Sequence, residues 1–288
     1  MSSETQGVIG LLHPGEMGAA VGRCLTDRGL TVLWASEGRS QQTAARAAAA
    51  GLTDAGTPRK LAAAAEVIIS VCPPFAAMDT AWAVHGFTGR YLDANAISPG
   101  TAREVAELVT GNGGSYADGG IIGPPPVSAG TTRLYLSGEA AAAVAGLFEG
   151  TPLETKMAGG GQTGASAVKM AYAAWTKGTA ALLLATRALA VASGVDDTLL
   201  AEWALSQPSL AGQFARSARS GMTKGWRWVG EMEEIAASMA AAGLPDGFHL
   251  AAAEVFRSCP RALSDQEADA APAAVLASLT AEAQASTG

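Results

Sequence analysis

The stretch "GVIGLLHPGEMGAAVGRCL", residues 7–25, decides the fold class of this chain. It opens with an apolar run typical of a strand, passes through a turn that contains glycine, and continues as a helix that Gly29 closes. In the dinucleotide-binding pattern G-x-G-x-x-G, the first glycine permits the bend, the second lets the backbone approach the pyrophosphate, and the third packs the helix against the strand. Gly15 and Gly18 hold the second and third places, but His13 stands at the first.

Pro14 offers a way to accommodate His13 in such a turn. A residue before proline is biased toward extended backbone, so we expect the chain to leave the strand extended at His13 and to bend at Pro14–Gly15. The free N–H groups at the start of the following helix would then hold the pyrophosphate. A glycine-containing turn without a ligand is the alternative, but the position of this turn after the first strand favours nucleotide binding. The cofactor-binding residues expected here are His13, Pro14, Gly15, Glu16, Met17 and Gly18.

The end of the second strand, "WASEGRSQQ", bears on the choice between NADP and NAD. An arginine with neighbouring serines suits the 2′-phosphate of NADP, whereas an NAD site usually offers an acidic residue to the ribose hydroxyls. Ser36, Arg39 and Ser40 therefore favour NADP, whereas the acidic Glu37 leaves NAD as the alternative cofactor.

Strands and helices alternate over the first half of the chain and predict an open parallel sheet covered by helices on both faces, which is a Rossmann-type domain. We place this domain at residues 1–160 and an all-helical domain at 161–288. The second domain begins with a connecting helix over Thr163–Ser193, and further helices "PSLAGQFARSARSG" and "GWRWVGEMEEIAASMAAAG" are separated at Gly221. A helix of that length spans about 45 Å and cannot bury its apolar surface in one small bundle, which suggests a homodimer.

Composition excludes several classes of protein. The chain has 288 residues, 49% hydrophobic residues and a formal net charge of −7, so a basic surface for nucleic acid or anionic lipid is not expected. Three cysteines and three histidines are scattered along the chain and indicate neither a disulfide framework nor a metal site. The polar start "MSSETQG" does not have the pattern of a signal peptide, and no membrane span is expected, so we expect a cytoplasmic protein.

Five further stretches follow the opening motif in the order and spacing of a known superfamily. They are "VIISVCPPFAAM", "YLDANAISPGTARE", "ADGGIIGPPPVSAGTTRLYLSG", "GGGQTGASAVKMAYAAWTKG" and "WRWVGEMEEIAASMAAAGLPDGFH". Over nearly its whole length the chain resembles the 3-hydroxyacid dehydrogenase and 6-phosphogluconate dehydrogenase superfamily. The C-terminal half is most similar to a subgroup of 6-phosphogluconate dehydrogenase-like proteins whose C-terminal domain has no settled function.

The resemblance implies an NAD(P)-dependent oxidoreductase that transfers hydride between the nicotinamide and a small carbonyl or hydroxy compound. The family's catalytic lysine falls on Lys169, whose apolar neighbours favour a lowered pKa and a role in proton transfer. A solvated helical lysine is the alternative. The resemblance places Cys72, Pro73, Pro74, Asn95 and Ala96 beside the cofactor. It places Ile121, Ile122, Gly123, Pro124, Tyr172, Ala173, Lys177, Glu231 and Glu234 beside the substrate.

Three departures from the family pattern concern the substrate. Ala173 replaces an asparagine one turn after the lysine, Ile122 stands at a serine of the carboxylate-binding loop, and Glu233–Glu234 replace a lysine–aspartate pair. Anion anchors are therefore missing, which argues against 6-phosphogluconate and weakens the case for a small 3-hydroxy acid.

The stretch "YADGGIIGPPPVSAGTTRLYLSG" is also similar to imine reductases, which share this fold and use NADPH. An apolar loop and acidic residues suit a cationic iminium, although a lysine is an unusual neighbour for one unless it is deprotonated. We rank carbonyl chemistry first and imine reduction second. A non-catalytic NADPH-binding regulator is the third alternative.

Five other residues have a structural interpretation beside a functional one. Trp226 and Trp228 cannot share one helix face at a spacing of two, and we expect both to serve packing. Glu231 and Glu234 are expected on a solvated face, and His249 is expected to be a hydrogen-bonded structural histidine.

Overall fold

The structure is a computed structural model that describes residues 7–262 and 264–285. The polar start in which we expect no signal peptide, residues 1–6, and the end of the last predicted helix, residues 286–288, lie outside the described residues. The chain forms two compact units, Met1–Met170 and Ala171–Gly288, which meet within one long helix. The predicted boundary at residues 160–161 falls just before that helix begins.

The first unit is built on one eight-stranded sheet with the order β3-β2-β1-β4-β5-β6-β7-β8. Every neighbouring pair is parallel except β6 and β7, which are antiparallel. The strands are β1 Ile9–Leu12, β2 Val32–Trp34, β3 Thr53–Asp54, β4 Val67–Ser70, β5 Arg90–Asp93, β6 Ser115–Ile122, β7 Thr132–Ser137 and β8 Leu153–Met157.

Helices cover both faces of this sheet. The first-unit helices are α1 Glu16–Thr26, α2 Gln41–Ala49, α3 Pro58–Ala64, α4 Ala77–Trp82, α5 Pro99–Gly111 and α6 Ala141–Leu147. Two short 3₁₀ turns occupy Pro74–Ala76 and Gly161–Thr163.

The two faces bury separate cores because successive side chains of a strand point to opposite sides. Ile69 of β4 packs in the core formed with α1, α2 and α6, while Ile68 packs in the core formed with α3, α4 and α5. All four residues of β1 and of β4 are buried, as expected for parallel strands covered on both faces.

The predicted Rossmann-type sheet is confirmed, and its far edge adds an element that the prediction did not contain. We used "ADGGIIGPPPVSAGTTRLYLSG" only for its resemblance and predicted no strand at residues 132–137, which form β7 and pair antiparallel with β6. Thr132, Leu134, Leu136 and Ser137 are buried, with exposures of 3% or less. The apolar alternation of this short strand was the available signal.

The second unit is helical, as predicted. Its connecting helix, α7 Gly164–Ala192, begins in the first unit and agrees with the predicted Thr163–Ser193 to one residue at each end. The helices that follow are α8 Asp196–Ser206, α9 Leu210–Ala241, α10 Gly247–Arg257, α11 Asp265–Asp269 and α12 Ala271–Ala285.

The predicted helix break at Gly221 is wrong. Gly221 lies inside α9, which continues without interruption for 32 residues. A Cβ atom at residue 221 would lie 3.1 Å from Cys259 Sγ, so this glycine permits close packing against the end of α10. Glycine here serves helix packing, at a cost of roughly 1 kcal/mol in helix propensity.

None of the helices in the described part of the chain is sufficiently long and apolar to cross a membrane.

Candidate active site

The cofactor residues expected from the sequence lie at one edge of the sheet. They follow the carboxyl ends of β1, β2, β4 and β5, which are parallel neighbours. The chain order reverses between β1 and its two neighbours, and open α/β sheets bind ligands in the crevice at such a point. The segments are His13–Gly18, Ser36–Ser40, Cys72–Pro74 and Asn95–Ala96.

The expectation of extended backbone at His13 is wrong. His13 has φ +66°, and it is the only non-glycine residue with positive φ in the described part of the chain. The left-handed bend that glycine provides in the G-x-G-x-x-G pattern is therefore made by His13 itself, not by Pro14. Such a conformation costs about 1–3 kcal/mol and persists only where surrounding contacts hold it.

Gly18 keeps its expected place because the turn leaves no room for a side chain. A Cβ atom at residue 18 would lie 2.3 Å from the carbonyl oxygen of His13. A Cβ atom at Gly15, by contrast, would meet no protein atom within 4 Å, which leaves open space in front of the start of α1. This is the space that a pyrophosphate at a helix N-terminus requires.

The two glycines predict different outcomes for the same substitution. Gly15→Ala should leave the thermal midpoint of unfolding within about 2 °C, because it adds no clash, yet weaken nicotinamide cofactor binding at least about tenfold by obstructing the backbone approach. Gly18→Ala should destabilise the fold itself by about 1–3 kcal/mol, as overpacking does. Calorimetry and cofactor titration of both variants check this; equal thermal midpoints would contradict the assignment of Gly18 to packing.

The loop after β2 carries the charge expected for cofactor choice. Arg39 is exposed, and its Nη2 and Nη1 atoms lie 2.7 Å from Nε2 and 3.2 Å from Nδ1 of His13. Ser40 caps α2 by accepting a hydrogen bond from Thr43 N at 3.2 Å. Hydrogen bonds from the Gly56 N–H and the Ser36 hydroxyl lower the pKa of the Asp54 carboxyl, so an acidic group that the sequence analysis did not single out lies at this edge.

Asn95 ties together the loops that follow β4 and β5. Its Oδ1 accepts a hydrogen bond from Cys72 N at 2.6 Å, and its Nδ2 donates to Ser70 Oγ at 3.0 Å. The Cys72 thiol stays protonated at neutral pH because burial raises its pKa to about 11. Pro73 and Pro74 lead into the first 3₁₀ turn, and Ala96 follows Asn95.

A buried carboxylate anchors the start of α7 to β6. Asp118 Oδ2 accepts hydrogen bonds from Ser166 N at 2.7 Å and from the Ser137 hydroxyl at 3.2 Å, and its Oδ1 accepts one from the Ser166 hydroxyl at 2.5 Å. The Ser137 hydroxyl oxygen also accepts from Ala165 N at 2.9 Å. A carboxylate at a helix N-terminus satisfies free N–H groups and complements the helix dipole. Asp118 thus fixes the first turn of α7.

This anchor sets the position of Lys169, which lies on the next turn of α7. The helix approaches β6 closely at Gly120, where a Cβ atom would lie 2.7 Å from the carbonyl oxygen of Ala165 and 3.1 Å from Lys169 Cβ. Lys169 Nζ donates a hydrogen bond of 2.7 Å to the carbonyl oxygen of Ile121. Burial lowers the pKa of the Lys169 amine to about 8. Both protonation states are therefore accessible near neutral pH, as acid–base catalysis requires.

The expected substrate residues near the end of β6 are apolar, and Ile121 packs in the core that β6 shares with α1 and α6. Ile121 and Ile122 are buried at 7% and 4% exposure, and Gly123 adopts φ +129°. The Pro124 carbonyl oxygen accepts a hydrogen bond from the Thr132 hydroxyl at 2.5 Å, which ties the loop to β7. No hydroxyl stands at position 122 to hold a carboxylate.

The remaining expected substrate residues belong to the second unit. Lys177 forms an ion pair with Glu231, and both side chains are largely buried, at 15% and 11% exposure. The expectation that Glu231 lies on a solvated face is therefore wrong, because the helix face that carries it packs toward α7 and pairs it with a lysine. Tyr172 is exposed, Ala173 is buried and Glu234 is partly buried.

His249 and the two tryptophans also depart from expectation in part. Within the described residues neither ring nitrogen of the buried His249 has a hydrogen-bond partner, so the expectation of a hydrogen-bonded histidine is wrong. Trp228 packs edge-on against Phe256 with ring centroids 5.0 Å apart, while Trp226 is 44% exposed beside the Arg261 guanidinium. Only Trp228 thus fits the expected packing role.

Sequence reasoning missed the residues that hold the expected site together. Asp118 and Ser166 position the helix of Lys169, and Thr80 contacts His13 from α4. Asp118 stands in an otherwise apolar strand, "SYADGGII", and that isolated acid was the signal that could have singled it out. Over the part of the chain that the structure covers, no group of three histidine, cysteine or acidic side chains could hold a metal ion.

A Rossmann-type sheet with a glycine-containing turn at its crevice, followed by a helical unit, defines a dinucleotide-binding protein with a separate helical domain. Residues 5–146 match the family described as the NAD binding domain of 6-phosphogluconate dehydrogenase, and residues 190–259 match a domain of unknown function, DUF1932. These two matches agree with the superfamily resemblance found in the sequence. No curated protein matches the chain significantly.

Solved structures share the fold over most of the chain. MTH1747, a conserved protein of unknown function described as structurally similar to 3-hydroxyacid dehydrogenases, is 25% identical, with 88% of this chain and 97% of that chain covered and a TM-score of 0.63. Mycobacterium tuberculosis 3-hydroxyisobutyrate dehydrogenase is 19% identical, with coverages of 96% and 99% and a TM-score of 0.67. Aspergillus terreus reductive aminase in complex with NADPH and ethyl-5-oxohexanoate is 22% identical, with coverages of 88% and 93% and a TM-score of 0.56.

Proposed function

We propose that this protein is an NADPH-dependent oxidoreductase that transfers hydride between the nicotinamide and a small carbonyl or hydroxy compound, with Lys169 as the proton donor and acceptor. The observation that carries the proposal is the state of Lys169: its amine is partly buried, has a pKa lowered to about 8, and is held at 2.7 Å by the Ile121 carbonyl oxygen. The family of the N-terminal domain supplies the cofactor class.

The cofactor would lie across the carboxyl ends of β1, β2, β4 and β5. The pyrophosphate fits the open space at Gly15 before α1, and the exposed Arg39 fits a 2′-phosphate. Asp54 and Glu37 are the groups that an NAD site would use for the ribose hydroxyls instead. The charge of Arg39 supports NADPH as the first choice.

Lys169 has a defined task in carbonyl reduction. A nicotinamide cofactor, when bound, would supply the hydride, and negative charge would then develop on the substrate oxygen. A lysine ammonium within hydrogen-bond reach stabilises that charge and donates the proton, so that an alcohol and a neutral amine result. In the oxidative direction the neutral amine accepts the hydroxyl proton, which a pKa of about 8 permits near neutral pH.

The residues at the end of β6 indicate which class of substrate suits the proposed site. Ile121 and Ile122 are apolar and buried, and the loop after them is fixed to β7 through Thr132. These observations favour a neutral carbonyl substrate with an apolar body over a di- or trianionic sugar phosphate.

Imine reduction is the second candidate, because apolar residues at the end of β6 would also suit a C=N compound and a lysine with a lowered pKa is neutral in part of the population. Imines need no proton from Lys169 once they are protonated. The lysine would then tune the site electrostatically rather than act as the acid.

The experiment that tests the proposal measures NADPH consumption by the full chain against two panels, apolar aldehydes and oxo compounds in one and cyclic imines in the other, with NADH in parallel. Turnover on the first panel is the expected result. Turnover on imines alone would transfer the protein to the second candidate. Tight NADPH binding without turnover on either panel would contradict an oxidoreductase of these classes and favour a regulator.

We further propose that the protein acts as a homodimer formed through α7. Four large apolar side chains in the second-unit part of this helix are between 48% and 73% exposed. They lie at spacings of three and seven residues, which places them on one stripe of the helix. They are Tyr172, Trp175, Leu182 and Leu189. A contiguous exposed apolar stripe of this kind is typical of a protein–protein interface.

The dimer proposal predicts a change of mass on substitution of the stripe. Trp175→Asp combined with Leu182→Glu should give a monomer by light scattering at micromolar concentration, where the unmodified chain gives a dimer. Leu205→Glu is the matched control, because Leu205 is equally apolar and 84% exposed but lies on α8. A monomer mass for the unmodified chain would overturn the proposal.

A further inference from the structure

The His13 side chain joins three elements of the first unit. Its backbone belongs to the turn after β1, its two ring nitrogens lie 3.2 and 2.7 Å from the guanidinium nitrogens of Arg39 after β2, and Nε2 lies 3.3 Å from the hydroxyl oxygen of Thr80 on α4. The proposed function uses position 13 only as a turn residue. A residue that served only to form the turn would not need these side-chain contacts.

The backbone at His13 is strained. A glycine would adopt φ +66° without a steric penalty, whereas this backbone angle is sterically unfavourable for histidine. Strained backbone is stable only where side-chain contacts over-determine it. Arg39 and Thr80 supply such contacts here.

The charge state of His13 suits a contact with arginine. Burial, with the Arg39 charge as a second cause, lowers the pKa of the His13 ring to about 4, so the ring is neutral near pH 7. With the proton on Nδ1, Nε2 accepts from Arg39 Nη2 and the Thr80 hydroxyl, whereas Nδ1–H and Arg39 Nη1 are both donors and form no hydrogen bond. The neutral His13 ring therefore contacts the Arg39 guanidinium without adding a second positive charge.

We propose that His13 is a positioning residue for cofactor discrimination: its ring, supported by Thr80, holds the Arg39 guanidinium against the dinucleotide turn in readiness for the 2′-phosphate of NADPH. This inference rests on the proposed NADPH specificity. Arginine loses several rotamers when it binds phosphate, and a guanidinium already held in place loses fewer. With glycine at position 13, the Arg39 guanidinium would lose its contact with the ring and would be surrounded by solvent.

Cofactor titration of single and double variants tests the proposal, with NADPH and NADH as the probes and quenching of tryptophan fluorescence as the readout. His13→Gly should raise the Kd of NADPH about tenfold and that of NADH less than about twofold, and should not lower the thermal midpoint, because strain is relieved. Arg39→Ala should have the larger effect on NADPH. In the double variant, His13→Gly should add nothing to Arg39→Ala, since the ring acts through the guanidinium.

Two further variants complete the design. Thr80→Val removes the support of the ring without changing the turn, and should weaken NADPH binding in the same direction by about two- to threefold. Arg90→Ala removes an equal charge at the amino end of β5, on the opposite edge of the sheet, and should change neither Kd.

The outcomes separate the two proposals. If Arg39→Ala weakens NADPH selectively but His13→Gly affects both cofactors equally, or if the double variant is additive, the positioning role is overturned and the NADPH assignment stands. If Arg39→Ala weakens both cofactors equally, or if the unmodified chain prefers NADH, the NADPH assignment fails and the positioning role fails with it.

Discussion

Replacing Lys169 by methionine should lower turnover with a carbonyl substrate by about 10²–10⁴-fold, the usual contribution of a positioned general acid or base. The Kd of NADPH should stay within about twofold, because methionine fills a similar volume and the Asp118 anchor of α7 is untouched. Steady-state kinetics on the best substrate of the carbonyl panel, together with cofactor titration, measure both quantities.

The pH dependence of the reaction rate provides a second test of the role of Lys169. With a pKa of about 8, the Lys169 ammonium is lost as the pH rises through 8, so the reduction rate should fall there and the oxidation rate should rise. Lys169→Met should abolish this dependence. Lys156→Met is the matched control, since Lys156 is an exposed lysine on β8, and its pH profile should be unchanged. A profile near pH 8 that persists in Lys169→Met would show that another group carries the proton.

Replacing Asp118 by alanine should destabilise the first unit by about 3 kcal/mol or more. The carboxylate is fully buried and accepts hydrogen bonds from Ser166 N, the Ser166 hydroxyl and the Ser137 hydroxyl. Removal of this buried acceptor leaves the Ser166 N–H and hydroxyl without it, at about 1–3 kcal/mol for each, while the Ser137 hydroxyl keeps the Gln162 carbonyl oxygen at 3.1 Å. For a unit of this size the thermal midpoint should fall by roughly 6–12 °C.

Two related variants separate stability from catalysis. Ser166→Ala removes the donor hydroxyl but keeps the Ser166 N–H, and should cost about 1 kcal/mol with little loss of turnover. Asp118→Asn keeps the shape and one acceptor oxygen, and should retain a folded unit while displacing the first turn of α7, so turnover should fall more than cofactor affinity. Unfolding by urea and kinetics at low temperature measure these effects. A thermal midpoint of Asp118→Ala within 2 °C of the unmodified chain would contradict the anchor.

The sequence was sufficient for those parts of the fold that local pattern determines. Buried parallel strands such as "VIIS" are continuous apolar runs, and the connecting helix contains no proline and ends before Gly194, so both could be predicted within a residue or two. Long-range packing decided the rest. Gly221 lies inside α9, where it packs against Cys259, a residue distant in sequence. β7 is likewise identified as a strand by its antiparallel pairing with β6.

The expected site was predictable to a similar extent. The turn, the arginine after β2 and the lysine on α7 follow from motif and resemblance. The conformation of His13 did not, because the bias of a residue before proline is local, whereas Arg39 and Thr80 hold the ring from other elements. Lys177 on α7 pairs with Glu231 on α9. A local sequence pattern does not show which residues of two separate helices face each other.

The antiparallel return of β7 has a consequence for how this scaffold can be diversified. Residues 123–131 connect two strands that are hydrogen-bonded neighbours, so their ends stay together whatever the connection contains. Lengthening such a connection costs only about 0.6 kcal/mol for each doubling. New segments can therefore be grafted at 123–131 while the sheet, the turn at His13–Gly18 and the anchor of α7 remain as they are.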